Sequence, residues 1–117
     1  MQILVISSGG EEKISRSRLK EMAGGFGNIV KAVVDIEKGI MAIGGELHAD
    51  EEALLLEKGS NQRNLWGINL YPELQGDEFI EFDSVINLRP IQGNRTRSVD
   101  NVQVRQKIKE IVNKLIL

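Results

Sequence analysis

Hydrophobic and polar positions along this chain fall into eight blocks, five with the two-residue period of a strand and three with the 3.6-residue period of a helix. The apolar run 2–6 is cut off by Ser7-Ser8-Gly9-Gly10 and predicts a first strand ending in a loop. A short amphipathic helix follows over 16–23: Ser15 is suited to accept from its first-turn N–H groups, Ile14 and Leu19 have staple spacing, and Gly24-Gly25 stops it. In 29–36, Val30, Ala32, Val34 and Ile36 share one face and Lys31 and Asp35 the other. Glu37-Lys38-Gly39 then predicts a three-residue hairpin loop into a return strand over 40–48, with Met41, Ile43 and Leu47 inward and Ala42, Gly44, Glu46 and His48 outward.

The second half repeats this logic. A compact helix is expected over 50–58, capped by Asp50, with Glu51 and Glu52 at its positive end, Lys58 at its negative end and Gly59 as its stop. Leu54, Leu55 and Leu56 predict that it is largely buried. Strand 65–71 turns Trp66, Ile68 and Leu70 one way and Asn69 and Tyr71 the other, and ends at Pro72. Gln75-Gly76-Asp77 marks a turn into strand 79–88, with Ile80, Phe82, Ile86 and Leu88 inward and Glu81, Asp83, Asn87 and then Arg89 outward. In the last helix Asp100 and Gln103 have capping-box spacing, and Val104, Ile108, Ile111, Val112 and Leu115 repeat along one face.

The order β-α-β-β-α-β-β-α, with several strands apolar on one side only, predicts an α+β two-layer sandwich: a mixed sheet of about five strands with three helices mainly on one face. A length of 117 residues without repeat or linker is read as a single domain over 1–117.

Composition narrows the chemistry. With no cysteine, disulfides, zinc–thiolate sites and thiol nucleophiles are excluded, and a reducing compartment, the cytoplasm, is expected. The N-terminal run has no basic leader and is shorter than the ~20 residues of a membrane span, so neither signal nor anchor is expected. Net charge is −2, but residues 1–34 carry +2, 35–83 carry −9 and 89–117 carry +5. An acidic middle and a basic end suggest complementary surfaces and disfavour nonspecific nucleic-acid binding.

Three constellations carry candidate chemistry. Glu46, His48 and Asp50 supply the nitrogen and oxygen ligands of a metal site or an acid–base pair; equally, Asp50 caps a helix and His48 is a polar strand end. Asn69 and Asn87, mid-strand residues disfavoured there, either project amides toward a ligand or pair with each other, with Arg89 or with loop backbone. The loop 93–98, with Asn94, Arg95 and Arg97 before the last helix, could converge on an anion, or could pair with the acidic middle of the chain. It lacks the Gly-Lys-Ser/Thr ending of a phosphate-binding Walker loop, and no cofactor motif is present.

The stretch from Val33, Val-Val-Asp-Ile-Glu-Lys-Gly-Ile-Met-Ala-Ile-Gly-Gly-Glu-Leu-His-Ala-Asp-Glu-Glu, with Leu-Trp-Gly-Ile-Asn-Leu-Tyr-Pro from Leu65 and Ile-Asn-Leu-Arg-Pro-Ile-Gln-Gly-Asn-Arg from Ile86, resembles a family of small, uncharacterised prokaryotic proteins. The resemblance covers nearly the whole chain from Ser15 onward and implies no activity, substrate or cofactor. Two function classes stay open: an interaction module, homodimeric through its open sheet face, and a small enzyme or ligand-binding protein whose open sheet face carries Glu46, His48, Asn69, Asn87 and Arg89 as ligand-binding candidates, with Arg95 and Arg97 holding a phosphate or carboxylate and with metal assistance through Glu46, His48 and Asp50 as an option.

Overall fold

The computed structural model describes residues 3–7, 13–24 and 27–116. The expected strand start at Gln2, the Ser8-Gly9-Gly10 punctuation and the stop at Gly25 lie outside them. The elements are β1 (Leu4–Ser7), α1 (Arg16–Ala23), β2 (Val30–Asp35), β3 (Ile40–Ile43), α2 (His48–Glu57), β4 (Leu65–Leu70), β5 (Ile80–Glu81) and α3 (Val102–Leu115), an α+β fold in the expected order, with short 3-10 turns between them.

The strands lie in the order β1-β3-β2-β4-β5 and every strand pair is antiparallel, so the sheet is not mixed. Its only parallel contact among the described residues is the isolated bridge Ile14–Ile116. The order explains this. α1 connects β1 to β2 and α2 connects β3 to β4; each joins two strands running the same way, but another strand is inserted between them with opposite direction. Both crossovers step across the sheet the same way from strands of opposite direction, so the right-handed rule sends the two helices to opposite faces.

The core divides accordingly. Ala32, Val34, Met41, Ile43, Ile68 and Leu70 pack with Leu19 and Ala23 of α1 and Ile108, Val112 and Leu115 of α3. On the other face Val33, Ala42 and Leu65 are fully buried with Leu55 of α2, and Ile86 packs against them. The face expected to be helix-free is therefore covered by α2 and the segment 84–88. Of the three leucines in α2, Leu55 alone is fully buried, while Leu56 is exposed and the carboxyl-bearing Glu51 is buried instead.

Local chemistry moves several boundaries. The β2–β3 loop has four residues, 36–39, because Asp35 Oδ1 accepts from Glu37 N at 2.9 Å and Lys38 N at 3.0 Å and Gly39 takes φ +67°. β3 stops at Ile43 because Gly44 has φ +89°, and α2 then begins at His48, so His48 and Glu46 do not alternate along a strand. Asp50 sits inside the first turn of α2 and Leu47 holds the cap position, with no side-chain cap bond. Ser15 caps α1 as expected, accepting from Arg18 N at 3.1 Å. α3 is capped by Asn101, whose Oδ1 accepts from Gln103 N and Val104 N, one residue after the expected Asp100. β5 spans two residues instead of ten, since Ser84 Oγ accepts from Ile86 N and folds 85–87 into a 3-10 turn.

Candidate functional site

A polar row crosses the α2-covered face of the sheet. Antiparallel register places Lys31 of β2, Asn69 of β4 and Glu81 of β5 side by side. Asn69 Nδ2 donates to Glu81 Oε1 at 2.8 Å and to the Asp83 carbonyl at 3.1 Å, and the Tyr71 hydroxyl donates to the same Glu81 oxygen at 2.9 Å. Both groups facing Nδ2 are pure acceptors, so the orientation of the amide is fixed by chemistry. Its Oδ1 is left buried without a hydrogen-bond partner. Partial burial and the Glu81 carboxylate push the Tyr71 phenol above its ordinary range.

His48 closes the row from above. Its Nε2 lies 2.8 Å from the Ile68 carbonyl, an acceptor, so Nε2 carries the proton and donates. Burial lowers the ring's pKa, helped by the charge of Lys31 and opposed by the Ile68 carbonyl, the Asn69 amide and Asp83. The Asn69 amide favours the protonated ring without a hydrogen bond of ordinary geometry, and burial prevails. A neutral ring with its proton on Nε2 has a bare lone pair on Nδ1. Lys31 Nζ donates to the Glu46 carbonyl at 2.9 Å, tying the β3–α2 connection to the row. Arg97 Nε pairs with Asp83 Oδ1 at 2.9 Å, a half-exposed ion pair. Lys31, His48, Asn69, Asp83 and Arg97 line one cavity of about 360 Å³, whose mouth carries Leu47 and Val85. The positive end of α2 opens beside it, and no side chain caps those N–H groups.

Of the candidates expected from the sequence, this cavity gathers His48, Asn69 and Arg97 and leaves the rest elsewhere. The Glu46 and Asp50 side chains are exposed, and among the described residues no three His, Asp or Glu side chains converge on a metal position. Asn87 is buried and faces backbone: its Oδ1 accepts from Gly67 N at 2.8 Å, and its Nδ2 donates to Gly67 O at 2.9 Å and Arg97 O at 3.0 Å. That side-chain amide takes the place of the missing continuation of β5. Arg89 is structural as well, donating to the Gln62 and Leu65 carbonyls with its guanidinium 4.3 Å from the Trp66 ring centroid.

The loop 93–98 fills its own anion position. Asp100 Oδ2 accepts from Arg95 N at 2.9 Å and its Oδ1 from Thr96 Oγ1 at 2.6 Å; the Thr96 hydroxyl, foremost, holds this carboxyl below its ordinary value. Asn94 organises the loop from inside, donating to the Asn87, Thr96 and Ser98 carbonyls and accepting from Asp100 N.

Sequence reasoning passed over Lys31, Glu81 and Asp83 as ordinary outward charges, because only the strand order reveals that Lys31 and Glu81 flank Asn69. It also took Glu51 for a dipole-complementing surface acid. Glu51 is fully buried; its Oε2 accepts from Gly45 N at 2.9 Å, its Oε1 has no partner, and burial raises its pKa to about 9.

Comparison with curated proteins and with solved structures returns no match. A family model described as a protein of unknown function, DUF5674, matches residues 8–115, nearly the whole chain. The chain therefore belongs to that family, the expected resemblance to an uncharacterised family is correct, and the family brings with it a domain of unknown function.

Proposed function

We propose that this protein binds a small ligand bearing a carboxylate or phosphate in the cavity beneath the first turn of α2. The observation that carries the reading is the meeting of Lys31, His48, Asn69 and Arg97, from four separate segments, on one cavity of about 360 Å³. Two cations and the positive end of α2 face one lining carboxylate, Asp83, so the balance favours an anion. Lys31 spends one of its three donors on the Glu46 carbonyl, and Arg97 uses Nε for Asp83, leaving donors for a ligand. The bare Nδ1 of a neutral His48 suits a ligand that also carries a hydroxyl or amine donor. The chemistry of the lining assigns no reaction.

Titration with inorganic phosphate and with lactate, followed by amide NMR, tests it. Shifts clustered on residues 47–50, Lys31, Asn69 and Arg97 are expected, with a Kd of about 0.1–10 mM. They should vanish in Lys31→Ala combined with Arg97→Ala. Unchanged spectra at saturating concentrations of both anions would remove the proposal.

A homodimer is the second reading, favoured by Leu47 and Val85, which are 56% and 65% exposed beside the same cavity. A second copy seated there would cover both. Sedimentation of the wild type and of Leu47→Lys separates the readings: dissociation of a dimer by the substitution supports the second, and a monomer at all concentrations removes it.

A further inference from the structure

A cavity of about 590 Å³ lies away from the His48 cleft. Four consecutive residues, Ile3 to Ile6, line it. Side chains of a strand point alternately to its two faces, so a groove touching all four follows the edge of the sheet. The flanks agree, since Ile14 and Arg18 come from the α1 side and Leu54 and Lys58 from α2 on the opposite face. β1 is an outermost strand and, among the described residues, pairs only with β3. The other edge is guarded: β5 has two residues, and beyond it the Asn87 amide occupies both backbone groups of Gly67.

We propose that the β1 edge docks an extended, acidic segment of a partner protein, which adds to the sheet as a sixth strand. Charge selects the occupant. Among the described residues Lys13, Arg18 and Lys58 line the groove, no carboxylate does, and the remaining lining residues are apolar. A second copy paired edge to edge would bring two sets of three cations together, whereas a strand alternating acidic and apolar side chains sets its carboxylates against the cations of one flank and its apolar side chains against Ile14 or Leu54 on the other. Backbone hydrogen bonds supply affinity in this mode of recognition, and the flanking side chains supply selectivity.

The test uses the full chain and a fluorescein-labelled peptide of alternating valine and glutamate, about six residues long. Fluorescence anisotropy should report saturable binding, with amide shifts on Leu4–Ser7. Arg18 and Lys58 are exposed, so their reversal leaves folding intact; Arg18→Glu with Lys58→Glu should weaken binding at least about tenfold. N-methylation of alternate peptide amides should abolish it. Equal binding of a valine–lysine peptide, or indifference to N-methylation, would overturn the proposal. Self-association relieved by Val5→Lys, with no peptide binding, would likewise overturn it and assign the edge to a second copy.

Discussion

Glu51 occupies the space that a side chain at position 45 would need. Its Oε2 accepts from Gly45 N at 2.9 Å, and a Cβ built on Gly45 would stand 2.8 Å from Glu51 Cγ. The pair locks the β3–α2 connection, the same connection that Lys31 holds through the Glu46 carbonyl. Gly45→Ala should therefore cost about 1–3 kcal/mol by displacing a packed side chain. A urea-denaturation midpoint equal to wild type would show that α2 yields freely at this point.

The pH dependence of stability reports on the same carboxyl. Below its ordinary value of 4.5, Glu51 is protonated in folded and unfolded chains alike, and its contribution is fully present. Between there and about 9, the unfolded chain releases a proton that the folded chain keeps, so stability falls as pH rises, by up to about 1.4 kcal/mol per pH unit. Above about 9 the effect levels off. Urea titrations from pH 7 to 9 should show this fall in the wild type and a flatter profile in Glu51→Gln. Identical slopes would place an ionised carboxylate at residue 51.

The division between what was legible and what was not follows the range of the forces involved. Ser15, Gly39 and Gly59 act within a few residues; the α1 cap, the β2–β3 turn and the end of α2 were accordingly readable, and Gly59 indeed has φ +101°. The face of α3 that buries Ile108, Val112 and Leu115 was equally plain from its period. The fold class and element order followed from such local signals. Strand order did not, because pairing β2 between β3 and β4 depends on contacts remote in sequence; with it went the face of α2 and the neighbours of Asn69. Asn87 and Asp100 failed differently. Each fits a common local pattern, an outward strand residue and a helix cap, but satisfies more distant backbone instead.

Asn87 offers a direct test of the amide that stands in for a strand. Alanine there leaves the Gly67 N–H and C=O without a partner on that side and frees the Arg97 carbonyl, for a loss of about 2–4 kcal/mol. Hydrogen exchange at the Gly67 amide should accelerate beyond what global destabilisation produces. Protection matching the global value would mean that the segment 84–88 is not held by this residue.

Ile108 and Ile111 share the apolar face of α3 but differ in depth, Ile108 being fully buried and Ile111 only partly so. Ile108→Ala should cost about 2–5 kcal/mol, and Ile111→Ala about 1–2 kcal/mol. The ordering is the test, and reversal in thermal or chemical denaturation would require α3 to be rotated on the sheet.

His48 is the only histidine, so its titration can be followed as a single set of imidazole signals. Burial lowers its pKa below 6.5 in the folded chain, so the unfolded chain binds the proton first as pH drops. The contribution is fully present above 6.5 and is lost as pH falls through the folded value, opposite in slope to that of Glu51. The two slopes offset each other below 6.5, and Glu51→Gln should expose the histidine's alone: a variant that becomes less stable on acidification. Ring nitrogen shifts should identify Nε2 as the protonated atom, as its 2.8 Å contact with the Ile68 carbonyl requires. Phosphate at saturating concentration should raise the folded pKa, because an anion beside Lys31 offsets the charge that disfavours the imidazolium. A free-state pKa at or above 6.5 would put the ring in water, away from the Ile68 carbonyl, and with it the lid of the proposed cavity.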